Sequence, residues 1–110
     1  MVAPSIGVAR LRILADEVPV VTVARPLTSS AVDIVRVDDR GGLALAVDHL
    51  VGLGHERVVH VDGGAAPSSE ERRTGYLEAM SAHGLGGLAR IVVGGLEQEH
   101  GLAAAAELVR

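Results

Sequence analysis

The sequence predicts an α/β fold in which a parallel sheet is wrapped by alternating helices. Three observations lead there. Short β-branched runs alternate with segments whose apolar residues recur every three or four positions. From residue 33 onward the order is strand, helix, strand, helix, strand, helix, which implies parallel strands joined by right-handed crossovers. Of the 110 residues, 48% are hydrophobic and 22% charged, a balance that supplies a packed core.

Residues 8–16 (VARLRILAD) put Val8, Leu11, Leu14 and Ala15 on one helical stripe. The β-branched run VPVVTVA (18–24) is typical of a buried strand. Residues 25–32 (RPLTSSAV) carry no helical pattern and read as a loop, followed by a second strand at 33–37 (DIVRV). A parallel neighbour ordinarily needs a crossover of about a dozen residues or more. So short a loop predicts that 33–37 either pairs antiparallel or leaves the first sheet.

Helix 40–53 (RGGLALAVDHLVGL) comes next, with Asp38 or Asp39 at its N-cap and Leu43, Ala46, Val47 and Leu50 inward. Gly54 is placed to close it in the left-handed conformation. Strand 57–61 (RVVHV) leads into a loop of small residues from Asp62 to Pro67. Ser68 and Glu71 fit an S-x-x-E capping box opening helix 69–83, with Tyr76, Leu77, Ala79 and Met80 inward and Gly84 at its end. Residues 90–93 (RIVV) form another strand. The final helix, 97–109, is Ala-rich, with Leu102, Ala105, Ala106 and Val109 inward. Both ends look cut: Ala3-Pro4-Ser5 resembles the tail of a strand, and the last helix should feed a further one. The chain reads as an interior fragment.

What is missing narrows the chemistry. Without cysteine there is no disulfide, thiolate metal site or cysteine nucleophile. Without lysine there is no P-loop lysine and no Schiff base. Tyr76 is the sole aromatic and the net charge is −4, so neither base stacking nor a basic footprint for nucleic acid is expected within these residues. No apolar run is long enough to cross a bilayer, and no export signal opens the chain. The expected product is cytoplasmic, with no membrane contact, cofactor or metal.

Several motifs fall short of a site. His55-Glu56-Arg57-Val58-Val59-His60 superficially resembles the zincin motif, but that motif needs histidines four apart on one helix. Here the spacing is five and His60 lies on a strand. His49, His83 and His100 fall on helix positions that face solvent. Gly52-Leu53-Gly54 closes a helix where a dinucleotide fingerprint opens one, and Gly63-Gly64 lacks the third glycine. No G-x-S-x-G elbow is present. Asp38 and Asp39 could be a carboxylate pair, but helix capping accounts for them.

Arg72 stands apart. It falls in the first turn of helix 69–83, beyond the C-terminal end of strand 57–61, the edge where open α/β sheets bind ligands. A guanidinium there can hold a hydroxyl pair or a carboxylate bidentately. The structural alternative is a surface arginine paired with Glu70, Glu71 or Asp62.

Three stretches then resemble one family: VPVVTVARP (18–26), VRVDDRGGLALAVDHLVGLGHERVVHVDGG (35–64) and SSEERRTGYLEAMSAHGL (68–85). Together, with an LGH turn followed by R-x-x-G, they are similar to the ligand-sensing domain of LacI/GalR-type bacterial transcriptional regulators. The resemblance spans effectively the whole chain. It implies a type I periplasmic-binding-protein-like fold, two α/β subdomains with a small-molecule effector in the cleft between them. Residues 1–36 would then be the end of the N-terminal subdomain and 37–110 the beginning of the C-terminal one. The flanks of loop 25–32 would lie in different sheets.

The resemblance also implies roles. Arg72, three residues before Gly75, matches the arginine that commonly hydrogen-bonds the effector. Ser68 matches a position lining the cleft, and Asp38 matches the acid at the crossover. Many members carry Asp before the arginine matched by Arg25, whereas this chain has Ala24, so a contact common in sugar-binding relatives is missing. The family's helix-turn-helix headpiece falls outside these residues. Operator DNA would be bound only through that headpiece, by a homodimer of the complete protein, and no bond would be made or broken. Two other readings remain open: a truncated product or interaction module without independent activity, and a nucleotide-dependent α/β enzyme.

Overall fold

The computed structural model describes residues 7–23, 32–66 and 68–109. The elements are α1 (Val8–Glu17), β1 (Val20–Val23), β2 (Val32–Val35), α2 (Asp39–Gly52), β3 (Val59–Asp62), α3 (Ser69–Ala82), β4 (Arg90–Val93) and α4 (Gln98–Leu108), with a 3-10 turn at Gly86–Leu88. The chain divides into two compact units, Met1–Val37 and Asp38–Arg110. No described helix is long and apolar enough to cross a membrane.

In the first unit β1 and β2 pair parallel, with Val20 opposite Val32 and Val23 opposite Val35. This corrects the expectation of antiparallel pairing or separate sheets. The rule of a dozen-residue crossover presumes a helix that spans a long strand. Here each strand has four residues. The return path is about 13 Å, and eight extended residues reach roughly twice that. Residues 24–31, including Ala24 and Arg25, lie outside the described residues, as do Ala3-Pro4-Ser5. Burial departs from expectation too. Leu11 of α1 closes over Val20 and Val32, with Leu14, Ala15 and Ile34 around them, while Val21 and Val23 remain exposed. Among the described residues, α1 covers one face of this strand pair.

In the second unit β3 and β4 pair parallel, from Val59 opposite Arg90 to Asp62 opposite Val93. The core is Val47 of α2, Val58, and Tyr76, Ala79 and Met80 of α3. Met80 is fully buried and Tyr76 is 1% exposed. A buried tyrosine must satisfy its hydroxyl. It does so by donating to the Val58 carbonyl (2.5 Å) and accepting from the Arg90 amide (2.9 Å), which ties together the starts of both strands. Asp38 caps α2, its Oδ1 accepting from the Gly41 amide at 3.0 Å, and Gly54 and Gly84 take the left-handed conformation after their helices.

Three inward stripes differ from the sequence reading. Ala46 is exposed, and Ala44 and Val51 join Leu43, Val47 and Leu50 against the core. Leu77 is exposed because Gly75, which has no side chain, takes the seam against α2 and rotates position 77 outward. In α4, Ala104 is buried and Leu108 half-buried, whereas Leu102 (64% exposed), Ala105, Ala106 and Val109 face outward. Four consecutive alanines at 103–106 carry no difference in bulk to mark one stripe over another.

Gly75 fixes how closely α2 and α3 approach. A Cβ at that position would lie 2.7 Å from the Arg40 carbonyl oxygen and 2.8 Å from its Cα, so the helices touch backbone to side-chain-free backbone. Gly75→Ala must push them apart and is expected to cost about 1–3 kcal/mol. Gly42→Ala, in α2 with open space around it, should instead be neutral or stabilising by about 0.5–1 kcal/mol. Urea denaturation midpoints of the two variants check both signs.

Candidate functional site

The N-terminal ends of α2 and α3 converge at the C-terminal end of β3. Helical spacing dictates which residue faces what. Ser69, Arg73, Tyr76 and Met80, spaced four, three and four, form the stripe of α3 that turns toward the sheet and core. Arg72, Gly75 and Ala79 form the neighbouring stripe along the seam with α2. Two adjacent arginines are thereby sent to two different carboxylates.

Arg73 goes to Asp62, the last residue of β3. The Asp62 carboxylate is 1% exposed and accepts from Arg73 Nε (3.0 Å) and Nη2 (2.5 Å) on one oxygen. Its other oxygen accepts from the amides of Gly64 (2.9 Å) and Gly94 (3.4 Å). The Arg73 hydrogen bonds, then the Gly64 amide, hold its pKa below the ordinary carboxylate value against the opposing effect of burial. The arrangement stitches α3, the loop after β3 and the end of β4 around one buried charge.

Arg72 goes to Asp39. Its Nε donates to Asp39 Oδ1 at 2.8 Å, with the aspartate side chain 13% exposed and the arginine 52%. None of Glu70, Glu71 and Asp62 is its partner: Asp62 is taken by Arg73, and Arg40 reaches Glu78 and, at 3.9 Å, Glu71. The terminal amino groups of Arg72 make no hydrogen bond among the described residues. Ser68 is half-buried in the loop entering α3. Its expected capping box with Glu71 does not form: Ser68 sits at φ 69° in the left-handed region and its side chain makes no cap bond. An N-cap hydroxyl reaches the helix amides from extended backbone; here only the Ser68 carbonyl accepts, from the Arg72 amide at 3.0 Å. Asp38, Ser68 and Arg72 therefore lie at the same end of the unit, with Asp38 engaged as the α2 cap.

The histidines take structural places. His60 packs against the Tyr76 ring, centroids 5.4 Å apart, and its Nε2 is buried with no partner among the described residues. Burial pushes its pKa down, against the nearby Asp62 carboxylate and with the help of Arg73 and Arg72. His83 Nε2 lies 2.6 Å from Asp48 Oδ1, and His100 Nδ1 accepts from the Glu97 amide at the start of α4. Among the described residues no three histidines or carboxylates gather as a metal would require.

The sequence reading missed Arg73 and the centrality of Asp62. The signal was present in the 69-73-76-80 spacing, which puts Arg73 on the stripe of the most buried aromatic.

Parallel strands flanked by helices, with a half-exposed arginine at a helix start beyond a strand's C-terminal end, define an α/β protein of the open, parallel-sheet class. Comparison with known proteins makes this specific. The sequence profile of the family described as periplasmic binding proteins and sugar binding domain of LacI family matches residues 4–110, and the chain belongs to that family. A LacI transcriptional regulator from a Rhodococcus species is 40% identical over 99% of this chain, with a TM-score of 0.92, and the match covers 41% of that protein. A LacI family transcriptional regulator from Mycobacterium smegmatis is 32% identical over 93% of this chain, with a TM-score of 0.71, and is covered over 37%. The chain thus spans about two fifths of the length of these relatives. No curated protein sequence matches it.

Asp62 and His60 make the fold acid-sensitive. Asp62 contributes stability that is present above the unfolded carboxylate value of 3.8 and lost as pH falls through its lowered folded value. His60, lowered from 6.5, opposes protonation in the fold, so stability begins to fall as pH drops below about 6.5 and continues to fall until its folded pKa is passed. Thermal melts from pH 8 to pH 3 should show the upper part of this slope removed by His60→Leu and the lower part by Asp62→Asn. Identical slopes in wild type and both variants would contradict the assignment.

Proposed function

We propose that these residues are the effector-sensing part of a LacI-type DNA-binding transcriptional regulator. The effector is a small polyhydroxylated, sugar-like molecule. Residues 1–36 supply the end of the N-terminal subdomain and 37–110 the beginning of the C-terminal one. Family membership and the division into two compact units support this reading. In the complete cytoplasmic protein, a homodimer, effector binding favours one subdomain arrangement and so alters operator affinity through the headpiece. No covalent chemistry is involved.

One observation carries the assignment. Arg72 is held at the start of α3 by its Nε, is 52% exposed, and has terminal amino groups that make no hydrogen bond among the described residues. A planar fork of donors fixed in this way matches two neighbouring hydroxyl oxygens. Ser68, in the loop entering the same helix, adds a hydroxyl that both donates and accepts. Asp38 uses one carboxylate oxygen as the α2 cap, and the other accepts from no described residue.

Arg72→Ala in the full-length gene product should weaken binding of the responding monosaccharide by about 1.5–3 kcal/mol, the worth of hydrogen bonds to a charged group. Operator affinity without the sugar should stay as it is. Calorimetry against a panel of pentoses and hexoses, with operator binding measured in parallel, checks both. An unchanged sugar affinity refutes the role given to Arg72.

A further inference from the structure

We infer that Asp39 sets the charge class of the ligand: it anchors Arg72 through Nε and balances its charge, so that the site takes an uncharged polyhydroxyl molecule and rejects its phosphate ester. The inference rests on the proposed role of Arg72 as a ligand contact. Asp39 acts through Arg72 and is a positioning residue.

The geometry of the pair is asymmetric. Asp39 is the first residue of α2, its backbone fixed by the helix and its side chain 13% exposed, while Arg72 is 52% exposed. The aspartate is the anchor and the arginine the arm. The positive end of the α2 dipole favours a carboxylate at this position. The 2.8 Å bond takes the single Nε–H of the guanidinium. The four terminal N–H groups make no hydrogen bond among the described residues.

Charge is accounted for at this end of the unit. Arg73 is paired with Asp62, Arg40 with Glu78 and Glu71, and Arg72 with Asp39. Each of these arginines has a carboxylate of its own, and the exposed acid Asp38 stands beside Asp39. A phosphate brought to Arg72 would be attracted by one guanidinium and repelled by two carboxylates a few ångströms further on. It would also give up its hydration, a cost repaid only by net positive charge. A pair of hydroxyls brings no charge, loses little hydration, and gains the full fork.

Substitutions separate anchoring from charge. Asp39→Asn keeps an oxygen for Nε and removes only the charge; Asp39→Ser makes the same charge change with a different helix-starting side chain; Asp39→Ala removes both functions. With the full-length gene product, calorimetry compares D-ribose with ribose 5-phosphate and D-glucose with glucose 6-phosphate. NMR follows the Arg72 Nε–H signal on titration with inorganic phosphate. Wild type should prefer the free sugar. Asp39→Asn and Asp39→Ser should shift that preference toward the phosphate ester by about tenfold, and phosphate should move the Arg72 signal in these variants but not in wild type. The same preference in wild type and variants, or an equal phosphate response in both, overturns the role of Asp39. If no free sugar binds and Arg72→Ala changes nothing, the reading of Arg72 fails, while the phosphate titration still decides the charge role of Asp39.

Discussion

Burying one carboxylate at the end of a β-strand constrains everything around it. Asp62 is almost wholly out of water, and an ionised carboxylate there is tolerable only with a cation and further donors in contact. Arg73 supplies the cation, and the Gly64 and Gly94 amides supply the rest. Once Arg73 must turn toward the sheet, the rotation of α3 about its axis is set. Tyr76 and Met80 follow into the core on the same stripe, and Arg72 is carried round to the seam with α2.

The seam then sets the second half of the site. Gly75 lets α2 come into contact with the α3 backbone at Arg40, and this closeness brings Asp39 within hydrogen-bonding distance of Arg72. A bulkier residue at 75 would separate the helices and pull the pair apart. Two adjacent arginines thus do different work. One is consumed in holding β3, β4 and α3 together; the other is steadied on one side and left open on the other. That division places a structural ion pair and a half-exposed guanidinium on a single helical turn.

Much of this was legible in the sequence. The strand at 90–93 has the same bounds in the structure, the helices at 8–16, 40–53 and 69–83 shift by about one residue, and the cap at Asp38 and the left-handed glycines at 54 and 84 are where turn chemistry puts them. These features are local, and local spacing encodes them. What failed was non-local. The pairing of β1 with β2 depends on how short the strands are, which a crossover rule does not see. The outward turn of Leu102 and Val109 depends on which alanine of α4 meets the sheet. At the site, Arg72 was marked by its place in the first turn and by resemblance, but its partner Asp39 lies 33 residues away, and no periodicity links them.

The division of labour between the two arginines is tested most directly by a crystal structure of the full-length protein with a monosaccharide bound. The terminal amino groups of Arg72 should lie on sugar hydroxyls with Nε still on Asp39, and Arg73 should remain on Asp62. A sugar gripped by Arg73, or bound with Arg72 turned away from it, would contradict the account.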